Sequence, residues 1–168
     1  IRDTAESHDR VFVVEVMGRD SGLIALRSGI SVGAECVLIP EIKVDYEAMM
    51  ARLDRTRKNK ASRVIIVAEG DDAGAFAVAE RIKERFPHYD LRVSILGHIQ
   101  RGGSPTCMDR VLASRLGVAA VEALMEGHRG EMIGLIHGEI AYTPFEKAIK
   151  HIGTLNDNLL RLVEILSS

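Results

Sequence analysis

Residues 11–19 read Val11-Phe12-Val13-Val14-Glu15-Val16-Met17-Gly18-Arg19, a run of β-branched side chains that ends in a glycine and an arginine. The first six residues are typical of a strand, and the pattern that follows over 21–30 is typical of a helix. Further strands are predicted at 36–39, 64–67, 91–96 and 132–136. Further helices are predicted at 46–58, 73–86, 109–125, 145–149 and 156–166. This alternation, with strands that are apolar throughout, predicts an α/β fold with a mostly parallel sheet and helices on both faces.

The composition of the 168 residues is that of a globular domain, since 46% are hydrophobic and 27% are charged. Lys and Arg number 22 against 24 Asp and Glu, and the net charge of −2 gives no reason to expect nucleic acid or a membrane as partner. No apolar run approaches the ~20 residues of a membrane span. Cys36 and Cys107 lack metal-ligand spacing, which argues against zinc and fits a reducing cytoplasm. The polar start at Ile1, without Met or a signal-peptide pattern, leads us to expect a piece of a longer chain.

Three of the predicted strands are followed by polar loops, and these loops are where we expect the chemistry. In open α/β sheets, ligands bind beyond the carboxyl ends of the strands. Arg19 follows the first strand, close to a helix N-terminus, which is a natural anion site. Glu69 follows the third strand, and His98 and Arg101 follow the fourth. Guanidinium groups suit phosphate and a carboxylate suits hydroxyls, so this edge predicts a phosphosugar pocket.

Each of these features also has an ordinary structural explanation. Strand-to-helix turns favour glycine whatever the function, a lone His98 is more often a structural histidine, and Asp72 could be only a helix N-cap. The chain has neither a Walker A nor a G-x-G-x-x-G pattern. Arg10 and Arg92 lie near the starts of their strands, so any role in the pocket would be played in a neighbouring subunit's site. The residues alone therefore support only an anionic-ligand-binding α/β domain.

Two blocks of sequence resemble the bacterial phosphofructokinases. The first is Gly97-His98-Ile99-Gln100-Arg101-Gly102-Gly103-Ser104-Pro105, continued by Asp109-Arg110 and 112–117, and the second is Val14-Glu15-Val16-Met17-Gly18-Arg19. Residues 1–5 also resemble the family, and the resemblance extends over essentially the whole chain. It implies transfer of phosphate from ATP to the 1-hydroxyl of D-fructose 6-phosphate in glycolysis, giving ADP and D-fructose 1,6-bisphosphate. It also implies Mg²⁺ as the cofactor that accompanies ATP, and a regulated, cytoplasmic homotetramer.

The resemblance assigns roles to individual residues. Those implied in fructose 6-phosphate binding are Arg10, Met17, Gly18, Arg19, Glu69, Arg92, His98, Ile99, Gln100 and Arg101. Among them, Arg19 is the implied catalytic residue, because it would also stabilise charge on the transferring phosphoryl group. Glu69 would bind sugar hydroxyls, and His98 and Arg101 would hold the 6-phosphate. The two arginines at the strand starts match positions that the family donates across a subunit interface into a neighbour's sugar site.

A second set of positions resembles the family's allosteric site for ADP or phosphoenolpyruvate. Its members in this chain are Arg2, Gly33, Ala34, Glu35, Lys58 and Lys60. Glu35 would help to hold magnesium on a bound ADP. The alignment to the two lysines requires one small gap before the third strand.

The resemblance also divides the chain into parts. Residues 1–98 would form a sugar-phosphate-binding and regulatory small domain, 99–150 a part of the large domain, and 151–168 a C-terminal helix. The family's ATP- and magnesium-binding loops, and the aspartate that accepts the proton, lie in an N-terminal half that this sequence does not include, so we expect no kinase activity from the chain alone. A pyrophosphate-dependent phosphofructokinase and a non-catalytic effector-binding or assembly module remain as alternatives.

Overall fold

A computed structural model describes residues 10–56, 63–70, 74–149 and 157–166. The chain divides into two compact units. The first comprises residues 1–101 together with 155–168, and the second comprises 102–154. The boundary falls at Gly102, the first residue of the glycine-rich stretch Gly102-Gly103-Ser104-Pro105. In the part of the chain that is described, no helix is long and apolar enough to cross a membrane.

The first unit is built on a four-stranded sheet in which all neighbouring strands are parallel. Its strands are β1 (Arg10–Val16), β2 (Cys36–Leu38), β3 (Arg63–Ala68) and β4 (Asp90–Leu96), arranged in the order β2-β3-β1-β4. The central strand β3 is buried along its whole length, which explains why its sequence is apolar without alternation. The predicted α/β fold with a parallel sheet is therefore confirmed.

Helices cover both faces of this sheet, as predicted. They are α1 (Leu23–Val32), α2 (Tyr46–Thr56), α3 (Gly74–Arg85) and α6 (Asp157–Leu166). Successive side chains of β1 point to opposite faces. Val11 and Val13 pack with residues of α2 and α3 in one buried cluster, whereas Phe12 and Val14 pack with residues of α1 and α6 in the other.

Local side-chain chemistry sets the ends of these helices. The carboxylate of Asp45 accepts a hydrogen bond from Ala48 N at 2.9 Å and so caps the start of α2. The helix α1 ends at Gly33, which adopts the left-handed conformation at φ 61° that glycine tolerates best. Helix and strand bounds predicted from the sequence agree with the described ones to within two residues.

The second unit differs from the sequence-based expectation in one respect. It contains α4 (Cys107–Met125), β5 (Glu131–Ile136), β6 (Glu139–Pro144) and α5 (Phe145–Ala148). The fifth predicted strand belongs to an antiparallel hairpin with β6, a strand that the sequence analysis did not predict. The two residues of the connecting turn, His137 and Gly138, both have positive φ, at 54° and 86°. This turn chemistry is typical of a tight hairpin, and His-Gly is a weaker signal for it than Asn-Gly.

Candidate functional site

The carboxyl ends of β1, β3 and β4 meet at one edge of the sheet. Val16 pairs with Ala68 on one side and with Leu96 on the other, so the three following loops begin level with one another. The loop after β1 leads to α1, and the loop after β3 leads to α3, which packs on the opposite face. Adjacent strands whose connections diverge in this way open a crevice, the usual ligand position in such sheets.

Glu69 joins the loop after β3 to the loop after β1. Its Oε1 accepts hydrogen bonds from Gly18 N at 3.1 Å and from Arg19 N at 2.7 Å. These backbone hydrogen bonds, and then the positive charges of Arg101 and Arg19, hold the pKa of the Glu69 carboxyl below its usual value. Glu69 was predicted to accept sugar hydroxyls, and in the structure one of its oxygens organises the neighbouring loop.

Two glycines allow close backbone approach at this edge, Gly70 between the loops after β3 and β1 and Gly18 within the loop after β1. A Cβ on Gly70 would lie 2.0 Å from the carbonyl oxygen of Arg19, and a Cβ on Gly18 would lie 2.3 Å from that of Ser21. Arg19 itself has a positive φ of 50°. These positions require glycine because the contacting atoms belong to backbone, which cannot move aside as a side chain could. The exposed Arg19 side chain is therefore carried on a tightly constrained turn.

The loop after β4 forms a single 3₁₀ turn over His98–Gln100. Gln100 Oε1 accepts a hydrogen bond from Met17 N at 3.3 Å, and Gln100 Nε2 donates to the Leu96 carbonyl. His98 and Arg101 are exposed at this edge. Ile99 is 84% exposed and makes no part of the core. The structure thus brings the predicted residues of all three loops to one edge within the first unit.

The helix N-termini at this edge are occupied by carboxylates of the chain itself. Glu41 accepts from Gly22 N, which immediately precedes α1, at 2.9 and 3.1 Å from its two oxygens. Glu15 accepts from Ala75 N, at the start of α3, at 2.9 Å. The sequence analysis expected the N-terminus of α1 to serve as an anion site. In the structure Glu41 bonds to one N–H group at that end and supplies part of the negative charge that the helix dipole favours, and the anion site stays a prediction.

Arg10 and Arg92 lie at the opposite, amino edge of the sheet, as their sequence positions predict. Asp90 contacts both: its carboxylate is 2.7 Å from Arg10 Nε and 3.3 Å from Arg92 Nη2. The hydrogen bond from Arg10 holds the pKa of the Asp90 carboxyl below its usual value. Arg10 is the first of the seven residues of β1 and lies about 20 Å from its carboxyl end, and Arg92, the third residue of β4, lies about 13 Å from the end of that strand. The two arginines therefore do not reach the crevice of their own subunit.

Half of the predicted effector-site residues can be located. Gly33 ends α1, and Ala34 and Glu35 follow it in the approach to β2. The Glu35 side chain is fully buried, so in this conformation it presents no solvent-facing oxygen to a magnesium ion. Arg2, Lys58 and Lys60 lie outside the described residues. Within the described ranges no group of three or more His, Cys, Asp or Glu side chains is placed to hold a metal ion.

Comparison with known proteins gives a consistent result. A family model described as phosphofructokinase matches residues 1–124. An ATP-dependent 6-phosphofructokinase 2 of Bacteroides thetaiotaomicron is 50% identical over 99% of this chain and 52% of its own length. An ATP-dependent 6-phosphofructokinase of Cytophaga hutchinsonii is 52% identical with the same coverage of both chains. The chain thus spans about half the length of the curated relatives it matches.

Solved structures agree at the level of the fold. The phosphofructokinase of Saccharomyces cerevisiae superposes with a TM-score of 0.81 at 30% identity, covering 98% of this chain and 23% of that one. A pyrophosphate-dependent phosphofructokinase of Marinobacter aquaeolei superposes with a TM-score of 0.79 over 99% of this chain and 51% of that one. At 21% identity, the second similarity concerns the fold alone.

Proposed function

The chain belongs to the phosphofructokinase family, and from that premise we propose that it carries the sugar-phosphate-binding part of an ATP-dependent 6-phosphofructokinase. The complete enzyme would phosphorylate the 1-hydroxyl of fructose 6-phosphate in glycolysis. The observation that carries this proposal is the convergence of Arg19, Glu69, His98 and Arg101 at one crevice, with Glu69 bonded to the turn that bears Arg19. The names of the relatives at 50% and 52% identity favour ATP over pyrophosphate as the donor.

The geometry supports a division of labour among these residues. One oxygen of Glu69 holds the turn, which leaves its second oxygen as an acceptor for a sugar hydroxyl. His98 and Arg101 are exposed on the loop after β4 and would bind the 6-phosphate through charge-assisted hydrogen bonds. Arg19, also exposed, would stabilise charge on the phosphoryl group in transfer.

Magnesium and ATP enter the proposal only as partners of the complete protein. Magnesium would neutralise charge on the phosphates of ATP. The described residues offer no cluster of metal ligands, and we therefore assign no residue of the crevice to the metal. We further propose that ATP binds to a part of the protein outside this chain, so that the chain alone has no kinase activity.

The remaining family properties form part of the same proposal. Arg10 and Arg92 would serve the sugar site of a neighbouring subunit in a cytoplasmic homotetramer, which fits their position towards the amino edge of the sheet, bonded to Asp90. ADP or phosphoenolpyruvate would bind at the effector positions named above. Residues 1–98 would be the small, regulatory domain, and 99–150 would contribute to the large one. A non-catalytic effector-binding or assembly module is the alternative for the isolated chain.

Calorimetric titration of the purified chain with fructose 6-phosphate tests the central part of this proposal. We expect saturable binding that Arg101→Ala abolishes. Arg85→Ala is the matched control, since Arg85 is an exposed arginine in the last turn of α3, at the end of the helix remote from the crevice. A folded wild-type chain that binds no fructose 6-phosphate would refute the proposal that this chain holds a sugar site. Binding of ADP alone would favour the effector-binding module.

A further inference from the structure

Gln100 is the only glutamine in the chain, and both polar atoms of its side chain are engaged within the protein. Its Oε1 accepts from Met17 N at 3.3 Å, in the loop after β1. Its Nε2 donates to the carbonyl of Leu96, the last residue of β4. The residue is half-buried, unlike its exposed neighbours His98 and Ile99. The side chain thus points back into the protein rather than outwards with the rest of the 3₁₀ turn.

The position of these two bonds explains what they do. The parallel pairing of β1 with β4 ends at Val16 and Leu96. The Gln100 amide spans the gap immediately beyond this pair and bonds one residue of each strand end. The side chain therefore links β1 and β4 just beyond their last paired residues. At this point the two strands separate into the loops that carry Arg19 and Arg101.

Gln100 also completes a row of backbone contacts. Three consecutive residues, Met17, Gly18 and Arg19, donate their backbone N–H groups to side-chain oxygens of the other two loops. Gln100 supplies the first acceptor and Glu69 supplies the second and third. A loop with three successive backbone N–H groups fixed in this way has little freedom to change the direction of its side chains.

We propose that Gln100 is a positioning residue of the crevice, which fixes the loop after β1 relative to the 3₁₀ turn, and that it does not itself bind the sugar phosphate. The family resemblance instead implies that Gln100 contacts the substrate. The two interpretations differ in what Gln100 does before any ligand is present. The identity of the ligand rests on the proposed function, whereas the positioning role does not.

Nuclear magnetic resonance of the ligand-free chain tests the positioning role directly. Because the chain has a single glutamine, selective ¹⁵N-glutamine labelling gives one side-chain amide signal pair. We expect one of its protons to exchange slowly with water, since it is bonded to Leu96. We also expect Gln100→Ala to shift the Met17 backbone amide and speed its exchange, since the acceptor of its hydrogen bond is removed. Fast exchange of both side-chain protons, or a Met17 amide unaffected by Gln100→Ala, would overturn the proposal.

Titration with fructose 6-phosphate provides a second test of the positioning role. Loss of two hydrogen bonds should weaken binding by about tenfold in Gln100→Ala. Thermal unfolding of this variant, followed by circular dichroism, separates loss of the bridge from loss of the fold. If the wild-type chain binds no fructose 6-phosphate, the proposed function fails, and the amide signals still decide the role of Gln100.

Discussion

Replacing Gly70 by alanine should disrupt the crevice, because the added methyl group would meet backbone atoms of the neighbouring loop. The new Cβ would lie 2.0 Å from the Arg19 carbonyl oxygen. Contacts of Cβ with other atoms under 3.0 Å essentially do not occur, so the two loops would have to separate by about 1 Å. The hydrogen bonds that Glu69 Oε1 accepts from Gly18 N and Arg19 N, now 3.1 and 2.7 Å long, would then exceed the limit of hydrogen bonding.

The expected cost follows from two opposing effects. Forcing a methyl group into a filled space typically costs about 1–3 kcal/mol. Replacing glycine by alanine also reduces the entropy of the unfolded chain, which stabilises the fold by about 0.4–1 kcal/mol. We therefore expect Gly70→Ala to destabilise the first unit by about 1–2 kcal/mol and to weaken fructose 6-phosphate binding.

Gly117→Ala supplies the control with the opposite sign. Gly117 lies in the middle of α4, and a Cβ there meets no atom within 4 Å. Alanine in a helix interior is favoured over glycine by about 1 kcal/mol, so this variant should stabilise its own unit. Hydrogen exchange in denaturant, measured separately for β3 and for α4, reports both effects. Unchanged or slower exchange in β3 of Gly70→Ala would refute the close-approach argument.

Three further expectations follow from local geometry. The hydrogen bonds that Glu69 accepts from Gly18 N and Arg19 N favour its ionised carboxylate, whose pKa in the folded chain is lowered. Their stabilising effect should be present in full above about pH 4.3 and should be lost as the pH falls through the folded-state pKa. Hydrogen exchange of the Arg19 amide, measured against pH, tests this. Thr106→Ala removes one half of the capping box that begins α4 and should cost the helix about 1 kcal/mol, detectable by circular dichroism in urea; an unchanged midpoint would contradict it. Exposed Cys107 should react with a thiol reagent long before Cys36, because burial raises the pKa of the Cys36 thiol to about 11; equal rates in the folded chain would contradict this.

The strands of the first unit could be predicted because their sequences reflect burial directly. β3 is apolar at most positions because it lies between two other strands and beneath helices on both faces. The edge of the sheet at which the candidate residues lie could also be predicted, since chain direction alone decides where the carboxyl ends of parallel strands lie. Arg19, Glu69 and Arg101 therefore lie at the predicted edge of the sheet.

Contacts between distant residues could not be predicted in the same way. Glu15 bonds to the start of α3, about sixty positions later in the chain, and Glu41 bonds to the start of α1, which lies earlier in the chain than Glu41 itself. Neither carboxylate differs in local sequence from an ordinary surface glutamate. The same holds for Gln100, whose inward orientation depends on the level ends of β1 and β4 rather than on its neighbours in the chain. The strand β6 was missed for a different reason, because its turn uses His137 in a conformation that asparagine more often supplies.

The occupied helix ends have a consequence for the ionic conditions under which the crevice works. Since Glu15 and Glu41 already place a negative charge at the starts of α3 and α1, we expect a bound phosphate to be balanced mainly by exposed guanidinium groups. Charges at the surface are screened over about 8 Å at physiological ionic strength. Binding to this crevice should therefore weaken steadily as salt is added, in contrast to sites where buried helix dipoles hold the anion. Competition from other multivalent anions in solution would act on the same guanidinium groups.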